Sequence, residues 1–266
     1  MNNSLEIENL CCGYGKKLIL DSIRLTVPEG DFVTLIGPNG SGKTTLIRAI
    51  TGMLPPHQGN IRIEGEENHR LNYRERARKL AVVNQTTEAT GISVEDYVLM
   101  GRLPHRHPMQ FFETARDRAI AKENLHLTGI WEMREKYMNQ LSGGEQQLAA
   151  IARALTQQTG IILLDEPTSH LDISHQVKIL ELVRQLNQTK RITVLLVIHD
   201  LNLASEFSHR LVLLHHGKIH ATGTPQEVLT TSHIEAVYHA RVITQPNPTS
   251  GKPFIFPITG TSTHEQ

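Results

Sequence analysis

An α/β fold is what this 266-residue chain predicts, with an antiparallel β subdomain leading into a core of buried strands and a helical subdomain inserted between them. Three observations carry that expectation. Apolar runs at Phe32–Ile36, Ile161–Asp165 and 192–198 read as strands buried on both faces. Alternating apolar and polar residues over 5–10 and 18–27 read as strands of a half-exposed antiparallel sheet. Between positions 93 and 155 the character turns helical, and the buried runs lie on either side of that block.

The remaining elements follow in order. A helix is expected at 45–51, directly after a glycine-rich turn, then strands at 60–63 and Leu80–Val83. Ser93-Val94-Glu95-Asp96 has the form of a helix cap, Pro104 and Pro108 interrupt the next stretch, and 114–125 is polar and helix-prone. A helix at 173–186 separates the last two buried strands. Residues 211–214 and 218–222 read as a hairpin turned at His216-Gly217. Thr224-Pro225-Gln226-Glu227 is a helix start with proline at the first position. Two short strands are expected about 247–251, and 259–266 is expected to fray. The organisation is one domain: 1–87 and 159–240 make the α/β core with its antiparallel β subdomain, 88–158 the helical subdomain, and 241–266 a C-terminal extension.

Lysine and arginine number 27 and so do aspartate and glutamate, with the basic residues scattered. The electrostatic footprint of a nucleic-acid binder is therefore missing, and no nucleic-acid partner is expected. The adjacent Cys11 and Cys12 cannot make a disulfide framework and fit a reducing compartment. The first residues lack the positive region and apolar run of a secretory signal. No window approaches the ~20 continuous apolar residues of a membrane span. A soluble protein is expected, with any membrane role reached through a partner.

Gly37-Pro38-Asn39-Gly40-Ser41-Gly42-Lys43-Thr44 lies between a predicted strand and a predicted helix, the context in which this spacing cradles phosphate. Its glycines let backbone N–H groups face the phosphates, and the helix N-terminus adds partial positive charge. Lys43 is expected to reach the β- and γ-phosphates and the Thr44 hydroxyl to ligate Mg²⁺, with Thr45 completing the nucleotide-binding loop. Asp165 and Glu166 end a buried strand, where ligands bind in open α/β sheets. Asp165 is expected to hold Mg²⁺ through water, and Glu166 to take a proton from an attacking water. Alone, this pair would read as loop acids ahead of Pro167. Leu141-Ser142-Gly143-Gly144-Glu145 precedes the acidic strand. Ser142 and Glu145 form a capping box, an ordinary helix start, and the two glycines also leave N–H groups free to face an anion.

The order of these motifs resembles the ATP-binding cassette family, and the resemblance covers nearly the whole chain. It implies a P-loop NTPase with a RecA-like core, ATP and Mg²⁺ as ligands, and an ATPase that clamps ATP between two copies of itself. Ser142, Gly143, Gly144 and Glu145 would touch the γ-phosphate of ATP held by the opposite copy. Glu145 stands where glutamine is commoner, which reads as the mark of one importer subfamily. By the same resemblance Tyr14 falls where an aromatic stacks on adenine, and Gln85 where a glutamine senses Mg²⁺ and the attacking water. Ser169-His170-Leu171-Asp172 falls at the loop that contacts the other copy, and His199 at the switch histidine on the γ-phosphate. Catalysis is thus assigned to Lys43, Gln85, Glu166 and His199, and Mg²⁺ to Thr44, Gln85 and Asp165. A lone chain, carrying one half of each composite site, is expected to hydrolyse ATP poorly. His105, His107, His215 and His216 are read as surface residues, because no carboxylate or cysteine beside them makes a metal pattern.

Val94-Glu95-Asp96-Tyr97-Val98-Leu99-Met100-Gly101-Arg102-Leu103-Pro104-His105 and the stretch from Glu166 to His175 resemble one importer branch (type II). Its members take up iron–siderophore complexes, haem, vitamin B12 or metal oxyanions such as molybdate. That resemblance implies two permease subunits seated between Gln85 and Arg102, and a separate substrate-binding protein. It also implies a place on the cytoplasmic side of the inner membrane, held through the permease. An iron chelate is the favoured cargo. Other readings are weaker. A soluble cassette protein of ribosomes or DNA usually has tandem cassettes or a coiled-coil insertion. Gly101-Arg102-Leu103-Pro104 weighs against a detached exporter ATPase, and the intact Glu166 and His199 weigh against a non-catalytic partner.

Overall fold

Two long strands open the chain, β1 (Asn3–Tyr14) and β2 (Lys17–Pro28), in a computed structural model that describes residues 2–85, 91–107, 109–110 and 112–258. The expectations for Pro108 and for 259–266 lie outside these residues, as do positions 86–90, where the expected subdomain boundary and part of the expected permease surface between Gln85 and Arg102 fall. β4 (Gln58–Ile63) and β5 (Glu66–Glu67) extend the pair into an antiparallel sheet of order β2-β1-β4-β5. These strands run past their expected ends because the alternation is interrupted. The register shifts between Ile7 and Leu10, with Asn9 at φ 47°, so Leu5, Ile7, Leu10 and Cys12 are all buried despite their uneven spacing. Gly59 lies against that bulge, where a Cβ would sit 2.3 Å from the Asn9 carbonyl oxygen.

The central sheet has the order β10-β9-β3-β8-β7-β6. β3 (Phe32–Ile36), β6 (Leu80–Val83), β7 (Ile161–Asp165), β8 (Thr193–Val197) and β9 (Arg210–His215) are parallel, and β10 (Lys218–Gly223) returns antiparallel at the edge. The β9–β10 turn has positive φ at both His216 (46°) and Gly217 (75°), the twist-matched hairpin geometry. Alternate strand residues feed two cores. Val33, Leu35, Leu163, Leu195 and Val197 pack with the antiparallel sheet and α1 (Lys43–Ile50). Phe32, Ile36, Ile162, Leu164, Val194 and Leu196 pack with helices on the other face. Burial on both faces is the physical reason these runs are nearly continuous in apolar residues.

α2 (Tyr73–Lys79) leads into β6, and α3 (Val94–Leu99), α4 (Ala115–Leu127) and α5 (Gly143–Thr156) lie between β6 and β7. Ser93 caps α3 by accepting from the Asp96 N–H, and Thr114 with Asp117 makes a capping box for α4. Arg102 knits this helical portion together. Its Nε donates to Asp117 at 2.8 Å, and its Nη1 donates to the Thr156 carbonyl at 3.0 Å and to Gln158 Oε1 at 2.9 Å. Gly101 allows the approach, since a Cβ there would meet the Arg153 carbonyl oxygen at 2.3 Å.

After β7 come α6 (Ile173–Lys190), α7 (Leu201–Phe207), α8 (Pro225–Val228), α9 (Thr231–Tyr238) and a hairpin of β11 (Val242–Pro246) and β12 (Pro253–Pro257). The hairpin is fastened to α7, where Ser205 Oγ donates to the Pro253 carbonyl at 2.7 Å and Asn202 Oδ1 accepts from the Ile255 N–H at 2.8 Å. Helices α2, α7 and α9 are absent from the sequence expectations. Each is short and begins at a side-chain cap, Asn72, Asp200 and Thr230, and α2 buries no residue that could set a period. Among the described residues no helix is long and apolar enough to cross a membrane.

Burial pushes the Asp117 carboxyl up, but the Arg102 guanidinium and Thr114 overcome it and hold it at about 2, below its ordinary 3.8. The folded value is the lower one, so this contribution to stability is present above that ordinary value and is lost as pH falls toward 2. Arg102→Met strands a buried carboxylate and should cost about 3–5 kcal/mol in urea unfolding at neutral pH. The deficit against the parent should narrow as pH falls and Asp117 protonates. A deficit that stays constant down to acid pH would remove the charge pair as its cause.

Candidate active site

β3, β8 and β7 are neighbours in the sheet, so whatever follows their carboxyl ends must converge. The glycine-rich loop follows β3, His199 follows β8, and Glu166 follows β7. There a cleft of about 310 Å³ is lined by Asn39, Gly40, Gly42, Lys43, Thr44 and Thr45 on one side and by Glu166 and His199 on the other, with Lys17 and Ile19 at its edge.

At its first glycine the loop has no room for a side chain. Gly37 has φ 148°, and a Cβ on it would lie 2.3 Å from the Leu214 carbonyl oxygen and 2.8 Å from Ser41 Oγ. Lys43 Nζ donates to the carbonyls of Gly37 at 2.7 Å and Pro38 at 3.1 Å. Burial pushes the Lys43 ammonium down, while Glu166 and Asp165 pull it back up. Ser41 Oγ is buried without a hydrogen-bond partner.

The acidic pair divides by environment. Asp165 ends β7 with Oδ1 buried and unpartnered, and its carboxyl is raised, first by burial and then by the neighbouring Glu166. Glu166 has φ 51°, a conformation that a glutamate adopts only under constraint. The constraint is visible: its N–H donates to the Val197 carbonyl at 3.0 Å, and its own carbonyl accepts from the Ser169 N–H at 3.2 Å and hydroxyl at 2.9 Å. The Glu166 carboxylate meets His199 Nε2 in a direct contact across the cleft. An orphaned carboxylate oxygen on Asp165 and the exposed hydroxyl-bearing Thr44 are the hard oxygen donors that Mg²⁺ takes, so the residues present fit that ion.

Ser142, Gly143, Gly144 and Glu145 do not line this cleft. They open α5, where Glu145 Oε2 accepts from the Ser142 N–H at 2.7 Å and hydroxyl at 2.8 Å, which holds the Glu145 carboxyl below its usual range. Ser142 and Gly143 are exposed. Gly144 is buried under His175, where a Cβ would sit 2.4 Å from Cδ2. Asp172 caps α6 and holds His175 Nδ1 at 2.8 Å, so the loop before α6 supports the start of α5. The Asp172 carboxyl lies well below its usual range because the His175 N–H, the Ser174 hydroxyl and the His175 ring all bond to it.

Tyr14 and Gln85 also stand outside the cleft lining, both exposed. The Tyr14 hydroxyl accepts from Arg48 Nη1 at 2.8 Å. Lys17, Ile19 and His175 escaped the sequence reading. The first two reach the site only through the β1–β2 register and left no signal, whereas His175, three residues past Asp172, had the spacing of a shared helix face.

Gly37→Ala should drive the loop off the Leu214 carbonyl. The expected result is loss of binding to a fluorescent ATP analogue together with a lowered thermal midpoint; binding at parental affinity would show that the close approach is dispensable.

A family model described as ABC transporter matches residues 20–169. The chain is 38% identical to the ferric enterobactin transport ATP-binding protein FepC of Escherichia coli (strain K12), over 94% of this chain and 93% of that one. It is 39% identical to the iron(3+)-hydroxamate import ATP-binding protein FhuC of Bacillus subtilis (strain 168), over 92% and 91%. A dimeric structure of MJ0796, a bacterial ABC transporter cassette, aligns with a TM-score of 0.73 at 31% identity, over 83% of this chain and 98% of that one. Similarity of that breadth, on a sheet whose strand ends bring together a phosphate loop and an acidic pair, identifies the chain as a member of the ABC transporter family, one of its ATP-binding ATPase cassettes.

Proposed function

We propose that this cassette is the ATP-hydrolysing subunit of a membrane importer, working as a pair of copies around two MgATP. The observation that carries the reading is the division of the site. One surface holds the phosphate loop, Glu166 and His199, while the exposed Ser142 and Gly143 at the start of α5 lie outside that cleft. The dimeric form of the related MJ0796 cassette supports pairing. Each half then supplies what the other lacks.

The chemistry is transfer of the γ-phosphoryl group of ATP to water. Backbone N–H groups from Gly40 to Thr44 hold the phosphates, and Lys43 turns from the Gly37 and Pro38 carbonyls to the β- and γ-oxygens. Glu166 accepts the proton of the attacking water as the new P–O bond forms, and ADP departs with the electrons of the broken P–O bond. His199, already against Glu166, orients that carboxylate and faces the γ-phosphate. Gln85 senses the attacking water from the end of β6, and Tyr14 offers its ring to adenine. Thr44, Asp165 and Gln85 would hold Mg²⁺, which would supply charge neutralisation for the transferred group. Ser142, Gly143 and Gly144 of the second copy present the N-terminus of α5 to the γ-phosphate, with Asp172 in the contact between copies.

The permease partner is assigned to the surface between Gln85 and Arg102. Three large apolar side chains are exposed there or beside it: Tyr73 (81%), Met100 (44%) and Leu103 (48%). Arg74 and Arg78 of α2 both donate to the Pro104 carbonyl, at 2.8 and 2.9 Å, which fixes Tyr73 to the same patch. Through that contact the chain sits at the cytoplasmic face of the inner membrane, with a separate substrate-binding protein in the complex. The transport names of the FepC and FhuC relatives support an iron chelate as cargo. The proposal takes siderophore or haem ahead of vitamin B12 or an oxyanion such as molybdate.

Glu166→Gln should keep ATP binding, lower turnover by roughly 10²–10⁴-fold and accumulate a dimer in light scattering; undiminished turnover would mean the proton goes elsewhere. The same variant, tagged and recovered with ATP from detergent-solubilised native membranes, should bring a many-helix permease with it. Recovery of soluble partners alone would defeat the importer reading. Tyr73→Asp with Leu103→Asp should abolish that recovery while leaving ATP binding intact, and co-recovery at parental yield would remove this patch as the dock.

A further inference from the structure

Tyr14 ends β1 where the chain turns through Gly15 and Lys16, and it pairs across the turn with Lys17. Lys17 stands at the edge of the nucleotide cleft, so the tyrosine is on the rim of that cleft. Its ring is 44% exposed. An exposed ring at a strand end ordinarily keeps much of its rotamer freedom. A platform that its ligand must first order gives back part of the stacking energy it offers.

Arg48 removes that freedom. It lies in the last turn of α1, where its carbonyl accepts from the Leu54 N–H at 3.0 Å and the Thr51 hydroxyl at 3.1 Å. From this fixed base, Nη1 reaches the Tyr14 hydroxyl at 2.8 Å, joining residues 34 positions apart. The guanidinium carbon is 5.9 Å from the ring centroid, at the ~6 Å limit of a cation–π contact, so the hydroxyl bond carries the link. The tether thus engages the tip of the ring rather than a face.

A basic residue in the last turn of a helix ordinarily serves the helix dipole, and Arg48 does so. The dipole does not require the bond to Tyr14. Arg48 also follows Thr44 by four residues and shares its helix face, and Thr44 lines the phosphate cleft. Its charge reaches the acidic strand end as well: the Asp165 carboxyl, raised by burial and by Glu166, is drawn back by Lys43 and then by Arg48. One short helix therefore carries the phosphate loop at its first turn and the tether of the tyrosine at its last.

We propose that Arg48 is a positioning residue for base recognition, holding the Tyr14 hydroxyl so that the aromatic platform stands at a set distance from the phosphate loop. The inference rests on the reading of Tyr14 as the adenine platform. Arg48 acts through Tyr14, so its contribution belongs to the base and not to the triphosphate.

The test is calorimetric titration of the full chain with MgATP and with magnesium tripolyphosphate, which has the phosphates and no base. Tyr14→Ala should weaken MgATP binding by at least about fivefold and leave tripolyphosphate unchanged. Arg48→Met keeps the stem and loses the donor, while Tyr14→Phe keeps the ring and loses the acceptor. Each should weaken MgATP by about two- to tenfold, again with tripolyphosphate unchanged. The double variant should be no weaker than either single one, because both remove the same bond. Equal losses for both probes in Arg48→Met would mean that Arg48 acts on the phosphates or on the stability of α1, and would overturn the proposal. Additive losses in the double variant would do the same. Should Tyr14→Ala leave MgATP binding intact, the platform reading fails and the tether with it. Should Tyr14→Ala separate the two probes while Arg48→Met does not, the tether alone fails.

Discussion

The path of the phosphate loop is set by backbone meeting backbone. Gly37 sits where any Cβ would fall 2.3 Å from the Leu214 carbonyl oxygen, and Gly217 sits where one would fall 1.9 Å from the Ile19 carbonyl oxygen. Between them the Gly217 N–H holds the Ser41 carbonyl, and its own carbonyl accepts from the Asp21 N–H at 2.9 Å. The loop is thus gripped on one side by the edge hairpin of the central sheet and on the other by the antiparallel sheet. A phosphate cradle needs its N–H groups held in place before the anion arrives, since ordering them on binding would consume the affinity they provide. Two glycines outside the usual motif, or in its first position, provide that stiffness by permitting contact that no side chain could allow.

The cleft sets one buried cation between two neighbouring carboxylates that repel each other. Lys43 is desolvated and leans on two carbonyls, Asp165 keeps a buried oxygen without a partner, and Glu166 adopts a left-handed backbone beside it. The buried Asp165 oxygen is a hard donor of the kind a divalent cation takes, whereas the Glu166 backbone is fixed by its bonds to Val197 and Ser169.

Much of this was legible from local pattern. The buried strands announced themselves because burial on both faces forces continuous apolar runs, and the loop because its spacing serves one kind of anion. The caps at Ser93, Ser142 and Thr224 were each a short-range hydrogen-bond pattern written in adjacent residues, while the Thr114–Asp117 box passed unread within a polar, helix-prone stretch. What escaped was set by tertiary register. Leu5–Ile7–Leu10–Cys12 shares one buried face only because a bulge at Asn9 resets the pleat, and no pattern rule marks a bulge in advance. α2 contributes nothing to the core, so its apolar period is missing although its Asn72–Glu75 cap was present in the sequence.

Glu145 shows how a single departure can be absorbed by local chemistry. Its carboxylate closes a capping box on Ser142, accepting from both the backbone N–H and the hydroxyl, so it satisfies one of the donors that the start of α5 leaves open. A glutamine could accept the same bonds through its carbonyl oxygen, which is why the exchange preserves the fold. The difference is charge. A carboxylate at the N-terminus of α5 offsets part of the helix's positive potential and competes with a phosphate for the Ser142 proton. The chain therefore keeps its helix start well capped at the cost of a weaker pull on any anion there, and in the proposed pairing of two copies the backbone N–H groups of Gly143 and Gly144, which Glu145 does not occupy, are the donors left for that contact.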